Sequence, residues 1–572
     1  MKTILFFVII AVQLVSYSCN QQTGIPVAQT SVPRIDQMPE IPQPLKIIDW
    51  KKKTLQFDSL VYNFDTVAPY GALIWLDCSR RNIDQVTYGL YTVIGDVRQG
   101  PNHYQGEFHE ALTSLNSLLG AGLLGIDKTN QNGFNFVKMA QNYYNSTTKW
   151  NIVMNNTNPD VAMAGGGYGR DWWYDVYPNL LYYGVADLFP NVENTENIQR
   201  NIAEQFFKAD SILSGNYDYS YFDYAQMKGM RNNIPWQQDA AGGHAWVLYS
   251  AYQQFGDKRY LQGAKSATQA LIDQKESRFY EVFLPFGAYT AARLNAEQGT
   301  NYDVTKLLNW TFDGCQAKDG RYGWGVIAEK WGDYDVYGLQ GSITDGGGYA
   351  FFMNSVAMAW PLVPLVKYEP QYAKAIGKYM LNAVNASRLF YPDEIDVEYQ
   401  WLPHLKDLTN GIIGYEGLRK TDDLNNAALK GITPVAIGDG PKWVAGQPQE
   451  SMFSLYSTSI VGVFGAIVNK TEVDGILALD CNATDFYAIN KYPVYLYYNP
   501  YAETKTVTYS SDISVDLFDI ISKKYLAKGG SGEVKINLNA SDAALIVVLP
   551  AGIQLKTDGS IIKAGDIVIS FK

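Results

Sequence analysis

Trp236-Gln237-Gln238-Asp239-Ala240-Ala241-Gly242-Gly243-His244 opens on a tryptophan and a carboxylate, then passes through small residues into an apolar run that stops at Gly256-Asp257. Apolar spacing at three and four predicts one helix over 241–255 and another over 258–273, with Gly256-Asp257 breaking them into a hairpin. The first helix is the more apolar. The second, from Lys258 to Asp273, carries a polar face. Apolar helices inside and amphipathic helices outside are what a closed two-layer ring requires.

The unit repeats on either side. Ala111-Leu112-Leu115-Leu118-Leu119, followed by Leu123-Leu124, predicts a helix starting near residue 106, and Phe134 to Tyr144 a second. Further pairs are predicted at 173–187 and 196–213, 280–297 and 302–313, and 347–366 and 370–387, with breaks at Gly299 and Glu369-Pro370. That makes five hairpins. A sixth can be assembled from residues 60–95 and 415–430. Glycine- and tryptophan-rich stretches lead into the apolar helices: Gly165-Gly166-Gly167-Tyr168-Gly169-Arg170-Asp171-Trp172-Trp173 is one. Another runs from Arg321 through Trp324, Glu329, Trp331 and Asp345 to Gly346-Gly347-Gly348-Tyr349. Such alternation places the decorated stretches on one face of a ring. Beyond residue 440 the period changes to two, in Val494-Tyr495-Leu496-Tyr497-Tyr498, Val507 to Val515, Val534 to Leu538 and Ala544 to Leu549. The expected fold is mainly α with a C-terminal all-β domain: an (α/α)6 toroid followed by an antiparallel β-sandwich.

The amino-terminal residues read as an export signal. Lys2 precedes the apolar run Ile4 to Val15, and the small residues Ser16 and Ser18 precede Cys19. Residues 20–45 are polar and proline-rich, the composition of a tether. The expected division is a signal peptide at 1–18, a lipidated cysteine and flexible tether at 19–45, a catalytic toroid at 46–435 and a β-sandwich at 436–572. Cys78, Cys315 and Cys481 lie far apart without CxxC spacing, which argues against a disulfide framework or a structural zinc site. The net charge of −11 is unsuited to nucleic acid. Aromatic content of 14% supplies flat surfaces for sugar rings.

A lipoprotein signal ahead of helical hairpins and a β-sandwich resembles the (α/α) toroid carbohydrate-active lipoproteins of glycan-degrading bacteria. Leu284-Pro285-Phe286-Gly287-Ala288-Tyr289, Gly338-Leu339-Gln340-Gly341-Ser342 and Tyr497-Tyr498-Asn499-Pro500-Tyr501 look similar to glycoside hydrolases of this type, including exo-acting β-glucuronidases. The resemblance implies a glycan substrate, an exported protein attached to a membrane through Cys19, and no cofactor. Toroid lyases for hyaluronan or chondroitin are the rival resemblance, through Asp171-Trp172-Trp173-Tyr174-Asp175 and Pro178. There Asp171 stands where a lyase would carry its uronate-neutralising asparagine, which counts against β-elimination.

Glycoside hydrolysis needs two carboxyl groups across the scissile bond. Candidates are Asp171, Asp239, Glu329 and Asp345, with Asp333 and Glu416 behind them. Asp171 and Asp239 also suit helix N-caps, Glu329 a solvated loop charge and Asp345 a turn. His244 can carry a proton or sit as a satisfied half-buried imidazole. In the lyase reading it would share acid–base work with Tyr349 or Tyr168. Trp172, Trp173, Trp236, Trp324 and Trp331 are candidate stacking planes. Arg170, Arg321 and Arg419, with Arg98, Arg231 and Arg278, gather in or beside the decorated stretches. Arginine forks suit the carboxylate of a uronate, and ordinary ion pairing is the alternative. A non-catalytic glycan-binding lipoprotein would use the same aromatic face. No set of residues has the pattern of a metal site; His109 with Glu107 is only a pair.

Overall fold

The computed structural model describes residues 24–66, 71–95, 110–158, 171–344, 347–421, 427–437 and 449–572. A helix that the periodicity does not predict, α1 (Trp50–Val61), comes first; the expected helices then form as α2 (Ala111–Leu123), α3 (Trp172–Leu188), α4 (Thr195–Leu213), α5 (Ala240–Phe255) and α6 (Lys258–Asp273), while the one expected over Phe134 to Tyr144 shortens to Phe136–Ala140 and a 3-10 turn at Gln141–Tyr143. After them come α7 (Phe283–Gln298), α8 (Val304–Asp313), α9 (Ala359–Tyr368, preceded by the short helix Phe352–Ala357) and α10 (Ala373–Ser387). Helices α2, α3, α5, α7 and α9 are buried on almost every side, whereas α4, α6 and α8 bury one stripe. This is the inner–outer division that their composition predicts.

Packing follows chain order: α2 lies against α3, α3 against α5, α5 against α7 and α7 against α9. The circuit is completed by Leu455–Thr458, a 3-10 turn at Ser459–Val461 and α11 (Gly462–Ile467), which pack on α2 and on the Phe352–Tyr368 stretch. Here two backbones touch: a Cβ on Gly462 would sit 2.1 Å from the Gly120 Cα, so the contact admits only glycine. Helix α1 packs outside α11. The sixth pair is therefore 455–467 with α1, not 60–95 with 415–430. Those segments instead supply the two-stranded ribbon Ile74–Asp77/Thr87–Leu90 and a strand at Gly417–Arg419. The expected boundary at residue 436 also moves, because the ring extends through Ile467.

The four alternating stretches form β8 (Val494–Asn499), β9 (Lys505–Asp519), β10 (Lys524–Leu538) and β11 (Asp542–Pro550), and two strands that the alternation does not mark precede them, β6 (Val468–Lys470) and β7 (Leu477–Asp480). They make one antiparallel sheet of order β6-β7-β8-β11-β9-β10. The register of β9 with β10 slips between Ser511 and Val515, where the pairing of β9 with β11 begins. Val507 and Ile536 of the ribbon beyond the slip share a second core with Ala478, Tyr497 and Ile546. A single sheet thus covers one of its own faces. The other face packs on α10, with Tyr498 against Gly377.

Residues 24–45 are not a loose tether. Val32, Ile35 and Met38 are buried, Val27 N–H donates to the Ile521 carbonyl at 2.8 Å and Thr30 N–H to Gln371 at 2.7 Å, and Arg34 Nε reaches the Val326 carbonyl at 3.0 Å. Apolar side chains spaced between the prolines turn this stretch into a strap along α10, which explains why that outer helix is buried all round. Among the described residues no helix is long and apolar enough to cross a membrane. Cys315 and Cys481 are buried free thiols, and Cys78 is exposed.

Candidate active site

A carboxylate stands just ahead of four inner helices: Glu110 before α2, Asp171 before α3, Asp239 before α5 and Glu281 two residues before α7. Glu281 acts on both Asp171 and Asp239, and Glu110 with Glu281 on the Tyr456 hydroxyl, so these starts share one end. Over the same end lies an antiparallel meander of β1 (Trp324–Val326), β2 (Gln340–Ser342), β3 (Tyr349–Phe351), β4 (Gly417–Arg419) and β5 (Val435–Ala436), in that spatial order. It occupies the stretch that reads as long loops in the sequence. Gln340 fastens it to the carboxylates, its Nε2 donating to the Tyr280 carbonyl at 3.2 Å and the Glu281 carbonyl at 3.0 Å.

Three of the carboxyls hold protons near neutrality. Asp171 is 5% exposed; burial, then the charge of Glu281, pushes its pKa up to about 7. The amides of Tyr174 and Trp173 at the helix start, with Gln237, pull the other way, and Tyr174 N–H reaches Asp171 Oδ1 at 3.4 Å. Asp239 is 1% exposed and burial raises it to about 8, with the Tyr280 N–H opposing at 3.4 Å and Glu281 adding to the rise. Asp239 does not cap α5, since its own backbone is helical (φ −64°, ψ −13°) and its side chain accepts nothing from the first turn. Its Oδ1 is buried with no hydrogen-bond partner among the described residues. Burial lifts Glu281 to about 7, against the Asn354 amide that donates to it and the Arg321 guanidinium. One turn below Asp171, Asp175 is pushed well above the carboxylate range by burial and then by Asp171. Desolvation dominates in every case, and of these groups only Glu281 meets a basic side chain, Arg321.

Aromatic rings line this end. Tyr280 lies 5.6 Å from Trp324, Trp324 6.3 Å from Tyr349, and Tyr349 6.4 Å from Phe351. Phe351 stacks at 6.0 Å on Tyr456, whose hydroxyl accepts from Trp173 Nε1 at 2.7 Å. Arg321 spreads over Tyr280 and Trp324 at 5.4 and 5.0 Å, and Arg419 over Tyr349 at 4.7 Å. Glu110, Glu281 and Glu416 all act on the Tyr456 hydroxyl, which ties the helix starts to the meander.

Several predicted site residues lie elsewhere. His244 is fully buried among Trp172, Phe206, Tyr217 and Tyr224, shares a 3.0 Å hydrogen bond with the Tyr224 hydroxyl, and is driven down to about 3 by burial. It faces α4 and not the carboxyls, so it is a core imidazole and cannot carry a catalytic proton. Trp172 belongs to the same core, its Nε1 donating to the Tyr219 carbonyl at 2.8 Å. Trp331 is buried in the small hairpin Lys330–Asp335 and offers no stacking plane. Glu329 pairs with Lys420 and accepts from Trp331 Nε1 at 3.3 Å, outside the carboxyl cluster. Asp333 accepts from the Tyr399 hydroxyl on the exterior. Trp236 is half-buried on the rim, with the Arg231 guanidinium 4.0 Å from its ring. Arg170, Asp345, Tyr168 and Cys19 lie outside the described residues. Glu281, Glu110, Asp175, Tyr280 and Tyr456 are absent from the sequence-based candidates. One signal was available: a carboxylate next to the start of each apolar helix.

Among the described residues no group of three or more His, Cys, Asp or Glu side chains is arranged to hold a metal. No family model and no curated protein matches the chain. Solved structures similar to it include a GH127 beta-L-arabinofuranosidase from Geobacillus stearothermophilus T6, at 12% identity and a TM-score of 0.38 over 92% of this chain and 85% of that one. A second GH127 beta-arabinofuranosidase matches at 12% identity and 0.37 over 93% and 85%. The endoglucanase CelQ from Clostridium thermocellum, complexed with cellotriose, matches at 12% identity and 0.35 over 91% and 99%.

Proposed function

We propose that this chain is a glycoside hydrolase whose helical region is an (α/α)6 toroid and whose substrate is an acidic, uronate-bearing glycan. The observation that carries the reading is the meeting of Asp171, Asp239 and Glu281 at one end of the ring, all raised by burial to near neutrality, with Arg321 beside Glu281 as the one cation among them. Hydrolysis requires one carboxyl that is still protonated beside another that is ionised. Asp239 suits the proton donor: it is the most deeply buried of the three, and its Oδ1 has no hydrogen-bond partner among the described residues. Asp171 suits the base or nucleophile, because the first amides of α3 favour its charged form. Glu281 stands against both and keeps all three from ionising together. Two guanidiniums on aromatic rings, Arg321 and Arg419, supply forks for an anionic sugar. A terminal β-linked glucuronate is the leading candidate for the residue removed. Elimination chemistry has less support, since His244 is enclosed away from the carboxyls.

The signal pattern supports export and anchoring through lipidated Cys19. Labelling with a fatty-acid analogue, lost in C19A, checks that part alone. The activity is tested on uronate-bearing polysaccharides by following released reducing sugar and near-ultraviolet absorbance together. Reducing sugar without an unsaturated product is expected, and its disappearance in D171N with glycan affinity retained. An unsaturated uronate would establish the lyase instead, and binding without turnover a lectin-like protein.

A further inference from the structure

The end of the ring opposite the carboxyls is marked by residues 482–490, which touch the later turns of three inner helices. Tyr487 meets Tyr183 and Asp187 of α3, Phe486 meets Arg293 of α7, and Asp485 meets Lys367 of α9. The strap enters at this end. Gly24 lies against the Lys523 side chain, whose Nζ is 2.7 Å from Ser570 Oγ, and the adjoining Phe571 ring lies 5.5 Å from Tyr368 at the finish of α9. Gln29 then brackets the turn into α10: its Nε2 donates to the Pro370 carbonyl at 3.1 Å and its Oε1 accepts from Lys374 N–H at 2.9 Å. From there the strap runs in the direction of α10. Asn382 Nδ2 donates to the Pro39 carbonyl at 3.0 Å, and Lys46 N–H donates to Asn385 Oδ1 at 2.8 Å. Gln43 N–H reaches Asp335 at 2.6 Å, in the hairpin between β1 and β2. The strap thus joins the two ends of the ring, and its start lies at the end without the carboxyls. The 15 residues of α10 hold those ends about 22 Å or more apart.

Two surface side chains single out the same end. Ile25 is 88% exposed and Ile489 80%, the largest values for any large apolar residue among the described ones. One belongs to the strap and the other to the 482–490 segment.

We propose that this end faces the bilayer that holds Cys19, with Ile25 and Ile489 against the lipid surface, and that the carboxyl end is turned toward the solution. The proposal rests on the anchoring reading for the lipid on Cys19, and on the course of the strap for the direction. From residue 19 to residue 24 is five Cα steps, which at about 3.6 Å each span no more than about 18 Å. Turned over, the body would hold Gly24 about 22 Å or more from the bilayer, outside that reach. An isolated exposed isoleucine is ordinary; a pair at the end that the leash draws down gives lipid an apolar foothold. The carboxyls then meet glycan chains in solution, not glycans joined to the lipid of that membrane.

The test uses full-length lipidated protein in phosphatidylcholine vesicles whose headgroups carry an acceptor dye; such vesicles bear no net charge to steer the body. With the exposed Cys78 replaced by C78S, a donor dye is placed on I489C or on Y322C, 57% exposed ahead of β1, with V397C (58%) as a second reporter for the carboxyl end. Circular dichroism selects the variants that fold as the unmodified protein does. Energy transfer is expected to be about five-fold higher from 489 than from 322 or 397, because the ends differ in height by about 22 Å. About twenty glycine and serine residues inserted after Thr23 should bring the signals together, since a leash of that length lets the body turn over. Equal transfer from both ends with the natural leash overturns the proposal. So does a higher signal from 322 or 397, or a contrast that the insertion leaves unchanged. If mass spectrometry finds no lipid on Cys19, the anchoring reading fails and the proposal with it; lipid on Cys19 with equal transfer leaves the anchor and overturns the proposal alone.

Discussion

The two ends of the helical ring both bury charge, and they treat it in opposite ways. At the far end, where the inner helices finish, the segment after β7 seats itself in the opening. Lys367 Nζ lies 2.6 Å from Asp485 Oδ2 and 2.7 Å from Asn482, the Tyr368 and Tyr289 hydroxyls donate to Asp485, and Arg293 donates to the Phe486 carbonyl at 3.1 Å. Tyr487 closes against α3 through its hydroxyl, 2.6 Å from the Tyr183 carbonyl. Lys367 sits in the last turn of α9, where the peptide dipoles favour a cation, and the buried anion is met by an ammonium and two tyrosine hydroxyls. At the near end Asp171, Asp239 and Glu281 are as deeply buried, Glu281 acts on both aspartates, and their partners are amides rather than ammonium groups, with Arg321 beside Glu281 alone. The far end is built to stay closed. The near end holds carboxyls that burial keeps protonated, the setting that the proposed acid–base role uses.

Substitutions separate the two ends. The largest effect is expected at the near end: D171N should lower turnover by about 10²–10⁴-fold, the range for a lost acid–base group, measured as released reducing sugar. At the far end D485A should destabilise by about 3–5 kcal/mol in denaturant titrations, because it strands the Lys367 ammonium inside the seal. A stable D485A would mean that the seal is not held by its ion pair. D239N should act with the opposite sign. The folded pKa of Asp239 is about 8 and an unfolded aspartate ionises near 4, so stability is full below pH 4 and falls as pH rises toward 8. The amide removes that slope. D239N should therefore melt higher than the unmodified protein at pH 8, by roughly 1–3 °C, and show no advantage at pH 4. The smallest effect is expected at His244, in neither end. H244Q should cost about 1 kcal/mol, the value of its bond to Tyr224, and leave the pH optimum of the surviving activity where it was. A shifted optimum would return His244 to the proton path.

Much of this contrast is legible in the sequence. Long apolar helices with clean breaks, such as α5 and α6 around Gly256-Asp257, can be read because local periodicity specifies them. Asp171 and Asp239 can be read because they precede such helices. The sixth inner segment escapes: Leu455 to Ile467 is three short turns interrupted by Gly462, too brief for a period, and its outer partner α1 lies at the other end of the chain. Glu281 escapes because Arg278 and the aromatic residues beside it drew attention to charge of the other sign. Trp172 and His244 mislead for a related reason. Composition marks both as suited to a ligand, and only the direction of the first turn of each helix decides that they face the aromatic core around Tyr217, Phe222 and Phe206. Register is likewise invisible in sequence, so the meander emerges only once its strands are paired.

The glycine contact between Gly120 and Gly462 has a consequence for how the protein is made. The first inner helix leaves the ribosome long before its neighbour across that contact has been synthesised. Until residue 467 is out, five hairpins stand as an open crescent with two greasy flanks, one at α2 and one at the Phe352–Tyr368 stretch. Vectorial emergence therefore leaves those two flanks without their shared neighbour until the segment 455–467 has followed.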